Sequence, residues 1–173
     1  MRLALAILVS IFLSAVNAQE PVLTLTQQRS LKIRTVFNDL RATNTEILDN
    51  FYAQDIVFED PLGQINGLNS MKEYYKAMYK KVIDIRFEFK DDAINGDRHL
   101  CTWIMYMRVD GLNGGEEVVV HGVSEIEFNS ESTLAIYHRD YFDMGEFVYQ
   151  HIPVLGSIIK MVRKQLEHKP SGN

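Results

Sequence analysis

The sequence predicts an α+β domain, helices first and an antiparallel sheet after them, on three observations. Apolar residues recur at helical spacing in the segments before residue 83. They alternate at strand spacing in four segments between residues 85 and 143. The connections between those four segments carry hairpin residues. Helices followed by a run of strands is the α+β order. At 173 residues the chain suits one domain with short flanking segments.

The elements follow in turn. Met1-Arg2 is a short positive start, residues 3–13 are an apolar or small-residue run, and Val16-Asn17-Ala18 has the form of a small-residue cleavage site. The run is shorter than the ~20 apolar residues of a membrane span. The expectation is a cleaved signal over residues 1–18, a mature chain beginning near Gln19, and a secreted or periplasmic location. Residues 24–41 read as a helix, with Ile33, Val36, Phe37 and Leu40 as one stripe. Thr43-Asn44 offers a cap for a second, short helix whose Ile47, Leu48, Phe51 and Tyr52 face inward. Residues 56–59 are a short strand, broken at once by Pro61 and Gly63. Ser70 with Glu73 has the form of a capping box for a third helix, which carries Met71, Tyr74, Tyr75, Met78, Tyr79 and Val82 at helical spacing. Residues 85–93, 99–109, 116–128 and 133–143 read as the strands. Pro153 and Gly156 then bracket a break. After it Leu155, Ile158, Ile159, Val162 and Leu166 make an apolar helical face, with Lys160, Arg163, Lys164 and Lys169 mostly opposite. That face either packs on the domain or a dimer mate, or meets a membrane surface or another partner.

Composition excludes several functions. A net charge of −5 argues against nucleic-acid binding, which needs a dense basic surface. The single cysteine, Cys101, lies in an apolar stretch and reads as a buried thiol; one cysteine allows no intrachain disulfide. The five histidines show no metal-ligand spacing, so no metal is expected. No Gly-rich phosphate loop or nucleophile elbow occurs, and no cofactor is expected.

The densest chemical signal is Phe58 to Gly63, F-E-D-P-L-G. A carboxylate at a strand end, among Phe and Leu, is desolvated and becomes a better base. Asp60 is the first choice for that role; it can equally cap the proline turn through its own backbone. In the last strand, alternation puts His138, Asp140 and Phe142 on one face, with Tyr137, Arg139 and Tyr141 on the other. His138 and Asp140 form either an acid/base pair or a structural ion pair. In the strand before, Val118, Val120, Gly122, Ser124 and Ile126 share the core-like face.

The run Tyr52-Ala53-Gln54-Asp55, the F-E-D-P-L-G-Q that follows, and then Gly67, Met71 and Tyr74-Tyr75 resemble the matching stretch of ketosteroid isomerase. More broadly they resemble the SnoaL-like polyketide cyclases of the nuclear transport factor 2-like superfamily. Arg139-Asp140-Tyr141-Phe142-Asp143 resembles a strand of limonene epoxide hydrolase. The resemblance spans residues 31–147. It implies a cone-like curved antiparallel sheet packed on N-terminal helices around an apolar pocket, with the C-terminal helix as an addition. The domain then covers residues 19–148 and the helical extension 149–173.

By the same resemblance Asp60 matches the isomerase's general base, and Tyr52 and Tyr75 match tyrosines of its hydrogen-bond network. Its oxyanion-hole tyrosine falls near Val36-Phe37, which cannot donate, and its oxyanion-hole acid falls near Ser124. Asp140 matches one of two aspartates of the epoxide hydrolase. The arginine and the other aspartate of that set fall near Ile104 and Tyr106, and its water-positioning residues near Phe58 and Asp60. The implied activity is acid/base isomerisation, cyclisation or hydrolysis of a small apolar compound; the alternative is a non-catalytic binding or interaction module of the same fold. The implied catalytic set is Asp60, Asp140 and His138. The implied ligand-binding set is Tyr52, Tyr75, Phe58, Ile104, Tyr106, Ser124 and Phe142. Trp103, Met105 and Met107 are read as an outer sheet face, opposite to Thr102, Ile104 and Tyr106, and that apolar face predicts a homodimer.

Overall fold

The computed structural model describes residues 22–166; the expected signal over residues 1–18, the start at Gln19, and Lys169 lie outside the described residues. Helix α1 spans Leu25–Asp39. Thr24 caps it by accepting from the Gln27 backbone N–H at 3.2 Å, while the Gln27 side chain accepts from the Thr24 N–H at 2.9 Å. The expected stripe Ile33, Val36, Phe37 and Leu40 is buried. A 3-10 helix at Thr45–Asn50 follows, then strands β1 (Tyr52–Asp60) and β2 (Gly63–Asn66), and helix α2 (Leu68–Tyr79). Strands β3 (Val82–Asn95), β4 (Arg98–Val109), β5 (Val118–Phe128) and β6 (Ala135–Phe142) form the predicted meander. A short helix α3 (Met144–Phe147), a 3-10 turn and helix α4 (Pro153–Leu166) complete the described chain.

The six strands make one curved, unclosed sheet in the order β2-β1-β6-β5-β4-β3. Register shifts in β3 between Val82 and Asp84, and between Phe89 and Asp92, add twist and bend to its long hairpin with β4. The concave face packs on α1 and α2, and the core lies between.

Local expectations gave way in five places. The second helix stops at Asn50, and Tyr52 opens a strand instead, because its backbone joins β6 beside Ala135. The pairing of β1 with β6 is parallel, so the sheet is not antiparallel throughout. The break at Pro61 and Gly63 is a tight hairpin to β2, a strand too short for alternation to reveal. The Ser70 capping box does not form. Helix α2 starts earlier, after Gly67, which takes a φ of +85° and donates its N–H to the Ile56 carbonyl at 2.8 Å. Gly156 does not mark a break either. It sits inside α4, where a β-carbon would meet the Gln150 carbonyl oxygen at 2.3 Å.

The largest correction concerns the parity of β4. His99, Cys101, Trp103, Met105 and Met107 point into the core. Thr102, Ile104 and Tyr106 point out, and Tyr106 donates its hydroxyl to Glu88 at 3.2 Å under the Arg86 guanidinium. Ile104 and Tyr106 therefore do not line an interior site, and the dimer face drawn through Trp103, Met105 and Met107 is the inner wall. Both alternating sets of this strand are apolar, so hydrophobicity does not select between them.

One charged side chain organises the far end of the sheet. Arg29, buried on α1, donates to the carbonyls of Ser132 and Asn129 and to Asp97, at 2.7, 2.9 and 2.8 Å. It thereby ties two loops to one helix. His99 lies close by with Nε2 unpartnered among the described residues, against the Phe128 ring. Burial, then the Arg29 charge, lowers its pKa below the ordinary 6.5. Folded protein thus binds that proton less readily than unfolded chain, so this term is fully favourable above about pH 6.5 and is lost as pH falls below it. We expect urea stability to drop between about pH 7.5 and 5, and His99→Phe to flatten that drop. An unchanged slope in the variant would contradict the assignment.

Candidate functional site

The parallel pairing of β1 and β6 builds the centre of the site. It sets Phe58 beside His138, while β5 sets Ile126 and Ser124 beside His138 and Asp140 on the other side. His138 is fully buried, with the Phe58 and Phe37 rings at 5.1 and 5.5 Å, edge to face. Its two nitrogens are both committed. Nδ1 lies 2.6 Å from the Tyr52 hydroxyl and Nε2 lies 2.9 Å from Asp140 Oδ1. A carboxylate oxygen only accepts, which assigns the ring proton to Nε2 and makes the Tyr52 hydroxyl the donor to Nδ1.

Asp140 Oδ1 also accepts the Ser124 hydroxyl at 2.5 Å, and Ser124 Oγ in turn accepts the Trp103 indole N–H at 2.9 Å. The result is one connected polar chain, Trp103–Ser124–Asp140–His138–Tyr52, laid across β4, β5, β6 and β1. Among the described residues no donor reaches Asp140 Oδ2, and Asp140 lines a cavity in the concave face.

That cavity has a volume of about 60 Å³, room for a few water-sized groups. Its walls include Phe58, Phe87, Trp103, Met105 and Phe142, with Leu62 and Phe147 also on its lining. Two carboxylates line it, Asp60 and Asp140, and no basic side chain does. Asp60 Oδ1 accepts the backbone N–H groups of Leu62 and Gly63, at 2.7 and 3.0 Å, and Oδ2 accepts the Tyr74 hydroxyl. Asp60 thus caps its own turn, and it also lines the cavity.

Of the residues singled out from sequence, Asp60, Asp140, Phe58, Tyr75, Ser124 and Phe142 line the cavity. His138 and Tyr52 stand one layer behind it, joined to it through Asp140. Ile104 and Tyr106 are on the opposite face. Sequence reasoning missed Tyr74 as the partner of Asp60, and Trp103 and Gly122 as a unit. The indole of Trp103 lies flat over Gly122, where a β-carbon would sit 2.2 Å from the ring. The signal available was a glycine inside a strand, which marks a close approach.

Burial pushes the Tyr52 and Tyr75 phenols up; the Asp140 charge adds to the effect on Tyr52, and a hydrogen bond with Tyr75 opposes it. Tyr79 moves the same way for the same leading reason. These phenols stay protonated and remain donors across the neutral range. Burial, helped by Asp92 and Asp140, pushes the Cys101 thiol up to about 12, so it is not a nucleophile at neutral pH. Among the described residues no group of three His, Cys, Asp or Glu side chains could hold a metal ion.

Residues 33–136 match the SnoaL-like domain, and the chain belongs to that family. A protein assigned as a SnoaL-like polyketide cyclase from Shewanella denitrificans OS-217 shares the fold at a TM-score of 0.60 and 17% identity, over 76% of this chain and 96% of that one. A second such protein, from Shewanella putrefaciens CN-32, gives 0.61 and 15%, over 79% and 99%. A protein with a ketosteroid isomerase-like fold from Catenulispora acidiphila DSM 44928, in complex with trimethylamine, gives 0.61 and 13%, over 72% and 91%. At these identities the likeness shows the fold. No curated protein matches the chain.

The Trp103–Gly122 contact yields a measurable expectation. Gly122→Ala must displace the indole and break its bond to Ser124. We expect a loss of about 1–3 kcal/mol in urea unfolding and a shift in the emission of Trp103, the one tryptophan. Unchanged emission would mean that the indole does not lie on Gly122.

Proposed function

We propose that this SnoaL-like protein binds a small apolar compound in the concave cavity and moves a proton on it, as an isomerase or cyclase does. The observation that carries this reading is the polar chain centred on Asp140, whose Oδ1 is held by Ser124 and His138 and which itself lines the cavity. We assign the base role to Asp140 rather than Asp60, since three donors already hold Asp60. The proton leaves a carbon beside a carbonyl for Asp140 Oδ2, and the electron pair moves to the carbonyl oxygen. Tyr79 lines the same cavity as a protonated phenol, suited to hydrogen-bond that developing oxyanion. Return of the proton to a different carbon completes an isomerisation; attack of the enolate carbon on a second carbonyl closes a ring, and the alkoxide formed takes the proton back from Asp140. Two carboxylates and no basic group on the lining disfavour an anionic ligand.

The test is exchange of α-protons for deuterium, followed by NMR, over a panel of small apolar ketones and 1,3-diketones. Asp140→Asn should lower exchange by about 100-fold or more, and Asp60→Asn by much less. Equal exchange in Asp140→Asn would remove it from the mechanism. The second reading, a binding module, is favoured by Asp60, which is held by its own turn and by Tyr74. It would be supported by a co-purified apolar compound, seen by mass spectrometry, that Asp140→Asn retains with no exchange in either protein.

We also propose that the chain is exported and cut near Ala18. The positive start, the apolar run and the small-residue site support this. N-terminal sequencing of the exported protein should begin at Gln19; a chain still starting at Met1 would rule cleavage out.

A further inference from the structure

We propose that α4 seats the protein on an anionic lipid surface through an apolar arc and a basic edge. Val154, Leu155, Ile158, Met161, Val162 and Leu166 of this helix are all exposed, Val154 and Leu166 by about three quarters. At the helical repeat they fall on one broad arc. The arc is not what fastens α4 to the domain. That attachment runs along a different line, through buried Gly156 against Gln150, through half-buried Ile159, and through Arg163, whose guanidinium reaches Asp143 at 3.3 Å. A helix normally turns its apolar side to the core. Here the seam toward the domain is a glycine, an isoleucine and an arginine, and the apolar side is left for something else.

Charge decides between the possible covers. The helix carries Lys160, Arg163 and Lys164 and no acidic residue, within a chain whose net charge is −5. Two copies of this helix brought together would set like charges side by side. An anionic lipid surface satisfies both features: acyl chains take the arc, and headgroups take the lysines. No described helix is long and apolar enough to cross a membrane, so the contact is with its surface. The position suits the cavity as well. Arg163 ties α4 to Asp143, which caps α3, and Phe147 of α3 lines the cavity. Docking through α4 thus holds that side of the cavity near the layer in which an apolar ligand dissolves.

The experiment is flotation of the purified full chain with two kinds of vesicle: phosphatidylcholine alone, and equal parts phosphatidylcholine and phosphatidylglycerol. We expect binding to the anionic vesicles, at least about tenfold weaker binding to the neutral ones, and release as salt is raised. I158S/M161S/V162S and K160E/K164E should each weaken anionic binding at least about tenfold. All five side chains are exposed or half-exposed, so circular dichroism and Trp103 emission should stay as in the wild type. The apolar run at residues 3–13 contributes equally to wild type and variants, so the comparison isolates α4. Absence of binding to anionic vesicles, or equal binding by the variants, would overturn the proposal. So would a lipid-free dimer, seen by light scattering, that I158S/M161S/V162S dissolves, since a second copy would then be the cover.

Discussion

The buried imidazole of His138 is the constraint on which the rest of the site depends. It sits where β1, β5 and β6 meet, among aromatic rings, with water excluded. Both of its nitrogens need partners there, because an unpartnered polar atom in the core costs about 1–3 kcal/mol. Tyr52 and Asp140 are those partners. One hydrogen bond fixes the first residue of β1 against β6; the other aims a carboxylate at the cavity. Stability and the orientation of the Asp140 carboxylate come from the same contact.

The chain of donors also explains the shape of the sheet around it. Trp103 can hold Ser124 only by lying flat over β5, and only a glycine leaves room for it. Ser124 then completes the shell of Asp140 Oδ1. A polar network of this kind is favourable when every member is satisfied and costly when one is not. Here Asp140 Oδ2 has no donor among the described residues, and Asp140 lines the cavity. Asp60 is held differently, by its own turn and by Tyr74, which makes it part of the wall. The two carboxylates thus have unequal freedom although the sequence offers both at the ends of strands.

Much of the fold was legible in the residues. The stripe on α1, the four long strands and the core-like face of β5 followed from spacing alone, whereas on β6 spacing grouped His138, Asp140 and Phe142 without saying which side they face. Asp60, Asp140, His138 and Ser124 were legible as candidates, because carboxylate, imidazole and hydroxyl groups on an apolar face need a reason to be there. The parity of β4 was not. Cys101, Trp103, Met105 and Met107 alternate with Thr102, Ile104 and Tyr106, and a period of two carries no label for inside when both sets are apolar. The start of α2 was missed because a backbone tie at Gly67 outweighed the side-chain cap suggested by Ser70.

The amino-acid sequence by itself determined the order and type of the long elements, the core-like face of β5, and the amphipathic character of α4, since these depend on neighbours a few positions apart. Only the tertiary structure decided which carboxylate is free, which side of β4 looks inward, and which face of α4 is left uncovered. Each of those is settled by groups far apart along the chain: Ser124 and His138 on Asp140, Gly122 under Trp103, Asp143 against Arg163. Local periodicity carries no information about such pairs, and hydrogen-bond geometry in the folded core does.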